Sequence, residues 1–449
     1  MVLKDRNLIN IIKNYNLNTR ETLMLFIDEN PENLRVEELS RISELVNNKR
    51  VDTAAYYTDV ETLNLIKENL PEIKKDVIRI LEPSVGVGNF LQIIIDKYSY
   101  AKKIIIEVND IDKESIELTK KLNLYRNIPE NVSVKYSTGD FLLSDFDEKF
   151  DLVIGNPPFL KLNKKKGLLN YSERFNDNIT NNLSGFFIQK SLKISDNVVM
   201  IMPKYLLSNS DFSLTRNRIN NYSINTILDF GEKGFKGVLI ETIAMFINTN
   251  TSNLNNITRT VSISNKFEKS LLQSKLTSNE FPSWIIYRDD FFESISKCME
   301  FGVFTVFRDR QLTNSVIKDT GDIRVIKSRN INRDGTEIIS INQYDSFINI
   351  EELQKYAVYK YLENDKVFLS PNMTYYPRVI RKPKGIVVNG SVAILENKYN
   401  KSVTDFHLKF LSGSTFERFY RIARNYSTRS LNIDKNSVYF FGLYSEKED

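Results

Sequence analysis

Short apolar runs alternate with helix-patterned segments from residue 59 to residue 247, and this alternation constrains the fold more than any other feature of the chain. Strands that alternate with helices in this way form a parallel sheet that helices cover on both faces. We therefore predict an α/β fold built on a doubly wound, mostly parallel, Rossmann-like sheet of seven strands. The predicted strands are 77–82, 103–108, 132–136, 150–154, 197–202, 224–230 and 242–247.

The chain has 449 residues, enough for two or three domains. Residues 1–50 carry apolar side chains at helical spacing and predict an N-terminal helical segment. Residues 51–260 contain the alternating pattern and predict the main α/β domain, whose end is marked by the polar stretch 248–258. From 261 to 449 the alternation fades into short β-branched runs and scattered helices, which predicts a second, mixed α+β domain.

Histidine and cysteine are rare, and their scarcity excludes several classes of chemistry. The sequence has a single histidine, His407, and a single cysteine, Cys298. Neither a histidine-based catalytic triad nor a His/Cys zinc site fits, so we predict no metal site. A lone cysteine is typical of a reducing cytosol. We find neither a signal peptide nor an apolar run of membrane-spanning length, so we expect a cytoplasmic protein without a membrane partner.

A glycine-rich turn follows the first predicted strand, at the place where open α/β sheets bind ligands. Gly86 and Gly88 allow the backbone to pass close to a ligand. Glu82, just before the turn, would repel a pyrophosphate. It favours a ligand with a positive centre and an amino-acid end, such as S-adenosylmethionine. The predicted cofactor contacts in this segment are Glu82, Pro83, Gly86 and Gly88.

The second and third predicted strands also lead to acidic residues. Asp110 is suited to accept hydrogen bonds from ribose hydroxyls, and Asp140 to accept from an adenine amine while Phe141 packs on the ring. The alternative is that Asp110 or Asp112 caps the next helix and that Asp140 is a loop residue. Because these residues follow successive strands of one predicted sheet, we expect a single crevice to collect them.

The tetrapeptide Asn156-Pro157-Pro158-Phe159 ends the fourth predicted strand in a stiff loop, because each proline fixes its φ angle and donates no hydrogen bond. The Asn156 oxygen and a proline carbonyl can accept both hydrogens of an exocyclic amine, and the Phe159 ring can stack on a flat base. A plain strand-ending turn is the alternative interpretation. The tetrapeptide follows the fourth strand, and the loops after the first three strands carry the other candidate ligand-binding residues. This position favours a role in binding a planar amine.

Taken together, these segments resemble the amino-methylating DNA methyltransferases, in the gamma order shared with the Taq-type adenine-N6 enzymes. The resemblance covers about residues 53–250, although the glycine loop reads Ser-Val-Gly-Val-Gly where Ala-Cys-Gly-Ser-Gly is commoner. It implies S-adenosylmethionine as the cofactor and Asn156, Pro157, Pro158 and Phe159 as the catalytic residues. It further implies that the cofactor contacts Tyr57, Thr58, Asp110, Ile111, Asp140 and Phe141, and that Phe246 contacts the target base.

The same resemblance implies site-specific methylation of the adenine N6 amine in duplex DNA, with the base swung out of the stack. Asn156 and the Pro157 carbonyl would free the amine lone pair for direct, in-line attack on the methyl group. We expect the modification enzyme of a restriction–modification system, a monomer on double-stranded DNA with a separate cognate restriction endonuclease. The alternatives are a methyltransferase acting on RNA or on a protein glutamine amide, and a catalytically silent DNA specificity protein.

The second predicted domain should recognise the target, because basic residues are concentrated there. Residues 371–433 contain 11 Lys or Arg and 3 Asp or Glu, a bias typical of surfaces that contact phosphates. A solvated surface that happens to be basic is the alternative. The predicted DNA contacts are Arg378, Arg381, Arg421 and Arg424, together with Lys164 and Lys165 in the loop after the tetrapeptide.

Overall fold

The structure, a computed structural model, describes residues 3–46, 60–163, 167–232, 240–373, 376–428 and 432–445. The chain divides into two compact units, Met1–Thr277 and Ser278–Asp449. The first unit extends beyond the boundary at 260 that we expected, because one further strand begins at the end of the polar stretch 248–258, a second strand follows it, and both join the sheet. None of the described helices is long and apolar enough to cross a membrane.

One large sheet forms the centre of the first unit. Its described strands are β1 (Val77–Glu82), β2 (Lys103–Asp110), β3 (Val132–Thr138), β4 (Leu152–Gly155), β5 (Asn197–Pro203), β6 (Ser223–Gly231), β7 (Thr242–Asn248), β8 (Ile257–Ser262) and β9 (Phe267–Leu272). The strand order is β3-β2-β1-β4-β5-β7-β6-β8-β9. β1 to β5 run parallel, whereas β7 lies antiparallel between β5 and β6. The predicted doubly wound α/β fold is confirmed, with β8 and β9 added to the seven predicted strands.

Helices connect these strands and precede them. Those described are α1 (Asp5–Asn14), α2 (Arg20–Glu29), α3 (Val36–Val46), α4 (Val60–Asn69), α5 (Asn89–Tyr98), α6 (Lys113–Asn123), α7 (Leu168–Phe175), α8 (Leu183–Ile194), α9 (Ser213–Ile219) and α10 (Gln273–Leu276). Thr19, Asp112 and Asn182 cap α2, α6 and α8 by accepting from backbone N–H groups of the first turn. The apolar faces of α1 to α3 share one core with Leu118 and Leu122 of α6, so the N-terminal helices pack on the α/β unit.

The second unit is a mixed α+β structure, as the irregular pattern after 261 predicts. Its described helices are α11 (Asp290–Ser296), α12 (Ile350–Leu353), α13 (Asp405–Leu411) and α14 (Ser414–Ala423), and its strands are β10 (Met299–Glu300), β11 (Phe304–Phe307), β12 (Ile323–Ile326), β13 (Ser346–Ile348), β14 (Val367–Pro371), β15 (Ile380–Arg381), β16 (Ile386–Val388), β17 (Val392–Asn397) and β18 (Leu443–Tyr444). They form small sheets in the orders β11-β17-β14-β15, β13-β12-β16 and β10-β18.

Candidate active site

The carboxyl ends of β3, β2, β1 and β4 lie side by side, because these four strands are parallel neighbours. Hydrogen bonds join the loops that follow them. The Gly139 N–H donates to the Asp110 carbonyl at 3.0 Å, and the Ser84 hydroxyl donates to the Asn156 carbonyl at 3.4 Å. The predicted crevice residues after four different strands, including Asp140, therefore meet at one edge of the sheet.

The glycine turn adopts a backbone conformation that favours glycine. Gly86 and Gly88 have φ angles of 54° and 74°, in the left-handed region. A Cβ on Gly88 would lie 2.8 Å from Leu91 Cδ1, whereas a Cβ on Gly86 would meet no atom within 4 Å. Two side chains from elsewhere hold the turn: Thr119 donates to the Gly86 carbonyl at 2.9 Å, and Arg126 donates to the Gly88 carbonyl at 2.8 Å. These two hydrogen bonds hold the glycine turn in place, and the space beside Gly86 is open.

Glu82, the last residue of β1, is a buried carboxyl group with an unsatisfied oxygen. The residue is 1% exposed, and its Oε2 accepts no hydrogen bond from the described part of the chain. Burial raises the pKa of Glu82 well above its ordinary value; the charge of Arg126 lowers that pKa and the charge of Asp110 raises it. A buried acceptor without a donor is unusual in a folded protein and is typical of a ligand-binding position.

Asp110 and Asp112 have different roles in the structure. Asp112 caps α6, since its carboxylate accepts from the Glu114 N–H at 3.3 Å. The Asp110 carboxylate instead accepts from the Gly86 N–H and the Asp112 N–H, each at 3.0 Å, and so ties the end of β2 to the glycine turn. Between them, Ile111 is 71% exposed. An exposed apolar side chain beside a carboxylate suits a ligand that has both a flat ring and hydroxyl groups.

Asp140 already has hydrogen-bond donors on both carboxylate oxygens. The Leu142 N–H donates to Oδ1 at 2.9 Å, and the Tyr171 hydroxyl of α7 donates to Oδ2 at 2.7 Å. The Phe141 ring is buried, and the Lys190 ammonium lies 4.8 Å from its centroid while donating to the Phe141 carbonyl. The ring thus supports the Asp140 loop from the core side, which corrects the prediction that Phe141 packs on the cofactor.

The tetrapeptide loop exposes some of its residues and buries others. Asn156 and Pro158 are half-buried, whereas Pro157 and Phe159 are buried, Phe159 being 6% exposed. The Asn182 amide at the start of α8 donates to the Phe159 carbonyl at 3.2 Å. Asn156 is therefore the accessible polar side chain of the loop. The Phe159 ring belongs to the core of the sheet, so the prediction that it stacks on a base does not fit its burial.

The remaining predicted residues of the first unit fall in two groups. Phe246 lies in the middle of β7, where it pairs with Val199 and is buried in the core. A ring enclosed in this way offers no face to a base, so the prediction of a base contact at Phe246 is corrected to a core role. The other group lies outside the described residues and comprises Tyr57, Thr58, Lys164 and Lys165.

Only some of the arginines that we predicted to contact DNA in the second unit are exposed to solvent. Arg424 is 8% exposed and donates to a backbone carbonyl at 3.2 Å. It directly follows Ala423, the last residue of α14. Arg378 donates to the Ile331 carbonyl at 3.1 Å. Arg381 is exposed, and Arg421 is partly exposed. The prediction that Arg424 is a DNA contact is therefore corrected.

A buried group of charges follows β5 and was not predicted. Lys204 comes directly after the last residue of β5, and its ammonium lies 2.7 Å from an Asp229 carboxylate oxygen and 3.4 Å from one of Glu241. All three side chains are nearly inaccessible to solvent. Asp229 belongs to β6, and Glu241 precedes β7. We call this group the lysine triad; it joins the ends of β5 and β6 to the start of β7.

Tyr171, Lys190, Arg126 and the lysine triad were not among the predicted site residues. Asp229 stands as a single charged residue in an otherwise apolar run, and this is the signal that could have identified it. Lys190 lies beside Gln189 and Ser191 and carries no such signal. Tyr171 and Arg126 carry no comparable signal, because tyrosine and arginine are common in solvated helices and loops. Their positions became known only from the hydrogen bonds to Asp140 and to the glycine turn.

Comparisons with known proteins agree with this geometry. Residues 23–235 match the model of the Eco57I restriction-modification methylase family. The type II methyltransferase M.CvrRI of Paramecium bursaria Chlorella virus XZ-6E is 32% identical over 115 residues, which are 26% of this chain and 27% of the relative. The type II methyltransferase M.AccI of Acinetobacter calcoaceticus is 28% identical over 181 residues, covering 37% of this chain and 31% of the relative. The chain therefore spans less than a third of each relative's length.

A solved structure extends the likeness of fold to more of the chain. The type IIG restriction endonuclease BpuSI has a TM-score of 0.50 and covers 92% of this chain and 61% of its own, at 12% sequence identity. At this identity the likeness concerns the fold alone. The family match includes the glycine turn, Asp110, Asp140 and Asn156. The predicted resemblance to restriction–modification methyltransferases is thereby confirmed for residues 23–235, which match the model of the Eco57I restriction-modification methylase family.

Proposed function

We propose that the chain transfers a methyl group from S-adenosylmethionine to the N6 amine of adenine at a specific site in duplex DNA, as the modification activity of a restriction–modification system. The observation that carries the proposal is the half-buried Asn156 at the end of β4, on the sheet edge that also holds the glycine turn and Asp110. The family match and the two type II methyltransferase relatives support it.

The residues at the edge of the sheet fit S-adenosylmethionine. Its amino-acid end carries an ammonium group, the donor that the unsatisfied Glu82 oxygen lacks. The ribose hydroxyls can donate to Asp110, and the exposed Ile111 can pack on the adenine ring. The adenine amine would share or replace the Tyr171 hydroxyl on Asp140. When bound, the cofactor supplies an electrophilic methyl group on a sulfonium centre.

The chain's own contribution to the reaction is to bind and orient the target amine. The lone pair of an adenine amine is delocalised into the ring, which makes the nitrogen a poor nucleophile. Asn156 and the Pro157 carbonyl would accept both amine hydrogens and move the nitrogen towards tetrahedral geometry, which frees the lone pair for in-line attack on the methyl carbon. The N–C bond would form as the C–S bond breaks, S-adenosylhomocysteine would leave, and solvent would take the surplus amine proton. Positioning supplies most of the rate enhancement, and the base must leave the helix because its amine is inaccessible within the stack.

Single-molecule sequencing of plasmid DNA from a host expressing the chain tests the proposal. Modified adenines at one recurrent sequence are expected, and they should vanish in a host that expresses Asn156→Ala. If the modified bases were cytosines, the proposal that adenine is the target base would be wrong. If purified protein transfers radiolabelled methyl groups to RNA or to a protein glutamine but not to DNA, the substrate class is wrong. Co-purification with a nuclease and light scattering with a cognate duplex test the proposed endonuclease partner and the monomeric state.

Asp110→Ala should weaken binding of S-adenosylmethionine by about 1.5–3 kcal/mol, roughly ten- to a hundredfold, because a charge-assisted acceptor for the ribose is lost. The substitution also frees the Gly86 N–H that Asp110 holds. Titration calorimetry measures the effect. Asp112→Ala is the matched control, since it removes a carboxylate two residues away that only caps α6. Equal affinities for Asp110→Ala and the unchanged protein would remove the ribose contact from Asp110.

Glu82→Gln should raise the melting temperature at neutral pH while weakening cofactor binding. Because burial raises the pKa of Glu82, the folded protein retains this proton at pH values where the unfolded chain has lost it. The wild-type protein therefore loses stability as the pH rises above the ordinary glutamate pKa of 4.5, which applies to the unfolded chain. Glutamine does not ionise and should remove this part of the pH dependence. Melting temperatures of both proteins, measured between pH 5 and pH 8, test this prediction. The same pH dependence of the melting temperature in both proteins would contradict it.

A further inference from the structure

Two tyrosine rings in the second unit are each flanked by two cationic side chains. The Lys327 ammonium lies 4.0 Å from the centroid of the Tyr344 ring, and the Arg329 guanidinium lies 4.8 Å from it. Lys327 also donates to the Ser346 hydroxyl at 2.9 Å, which fixes the direction of its side chain. Lys327 is partly exposed and Arg329 is exposed. Cations over aromatic faces are held in defined positions.

The second ring, Tyr376, is 42% exposed. The Arg333 guanidinium lies 4.7 Å from its centroid, and that of Arg421 lies 5.8 Å from it. The Arg378 guanidinium donates to the Ser328 carbonyl, between Lys327 and Arg329 in the chain, and to the Tyr376 carbonyl, each at 3.2 Å. We call the two groups together with Arg378 the tyrosine–cation surface; it consists of Lys327, Arg329, Arg333, Tyr344, Tyr376, Arg378 and Arg421.

The charges of this surface are poorly compensated by the chain itself. Among the described residues, Arg421 pairs with Glu417 at 3.1 Å, but no carboxylate lies within ion-pair distance of Lys327, Arg329 or Arg333. Other arginines of the same unit are neutralised: Arg324, Arg381 and Arg418 pair with Asp345, Asp405 and Asp289. Like charges held close together repel one another, so their fixed arrangement favours a polyanionic partner.

We propose that the tyrosine–cation surface binds the phosphate backbone of DNA. The proposal rests on the proposed function, which makes duplex DNA the substrate, and it names the surface of the second unit that contacts it. Arginine and lysine side chains pair with phosphates whatever the base sequence. The tyrosines support the cations through their faces, and the exposed part of Tyr376 offers a ring that can pack on a sugar or base. Of the DNA contacts predicted from the sequence, the surface includes Arg378 and Arg421 but not Arg424.

The proposal is tested by salt titration of DNA binding by the full chain carrying both Arg329→Ala and Arg333→Ala. Each lost phosphate contact should lower the slope of log affinity against log salt concentration by about one, so a decrease of about two is expected. Arg329→Lys with Arg333→Lys keeps both charges and should retain the slope. The matched control is Lys366→Ala with Lys398→Ala, which removes two exposed lysines of the same unit that lie over neither Tyr344 nor Tyr376.

Each outcome separates this surface from the proposed function. A smaller slope in the arginine variant but not in the lysine control supports the surface, provided that calorimetry gives unchanged binding of S-adenosylmethionine. An unchanged slope in the arginine variant, or an equal decrease in the control, overturns it while leaving methyl transfer intact. If the unchanged protein itself binds no duplex DNA and methylates none, the proposed function fails, and the surface fails with it.

Discussion

Asn156→Ala should lower the rate of methyl transfer by at least about a hundredfold while leaving S-adenosylmethionine affinity nearly unchanged. The loss is large because the side chain acts on the reacting nitrogen, and removal of one positioned hydrogen-bonding group commonly costs this much in the rate of the chemical step. Affinity should persist because Glu82, Asp110 and the glycine turn lie on other strands. Single-turnover assays with radiolabelled cofactor and calorimetry measure the two quantities separately.

Asn156→Asp is the matched control for this experiment. Aspartate has the same size and keeps an acceptor oxygen at the same position, so it should retain more activity than alanine. A melting temperature close to that of the unchanged protein would exclude loss of folding as the cause in either variant. If Asn156→Ala kept more than a few per cent of the turnover, Asn156 would not be the residue that holds the target amine.

Lys204→Met should destabilise the protein by about 3–5 kcal/mol, because it leaves the Asp229 and Glu241 carboxylates buried without the lysine that faces both. Methionine conserves most of the volume, so the loss would reflect charge and not a cavity. Denaturant unfolding followed by circular dichroism measures it. Lys67→Met is the matched control. Lys67 pairs with Asp96 at 2.7 Å on the surface, and exposed pairs contribute at most about 1 kcal/mol.

Removing the opposing charges should restore much of this stability. A variant that combines Lys204→Met with Asp229→Asn and Glu241→Gln buries no unpaired charge and should be more stable than Lys204→Met alone. This comparison isolates the electrostatic part of the effect, because residues in contact are not additive. If Lys204→Met and Lys67→Met lost equal amounts of stability, the lysine triad would contribute no more than a surface pair.

The sequence by itself determined the α/β class and the main candidates for the site. Apolar runs of strand length and glycine or proline at their ends are local signals, and they do not depend on how distant segments pack. The parallel order of β3, β2, β1 and β4 then brings Asp140, Asp110, the glycine turn and Asn156 to one edge. The sequence also indicated which of Asp110 and Asp112 caps the next helix, since an acidic residue just before a helix is a common cap.

Only the tertiary structure decided which of these side chains are accessible and what they contact. Phe159, Phe246 and Arg424 were predicted to contact DNA but are buried. β8 joins the sheet beside β6, although the polar stretch 248–258 predicted that the α/β domain ends there. Tyr171 reaches Asp140, and Lys204 reaches Asp229 and Glu241, across long separations in sequence. Burial and pairing of this kind depend on which segments, distant in sequence, pack against each other in the folded chain. A local sequence pattern does not predict those contacts.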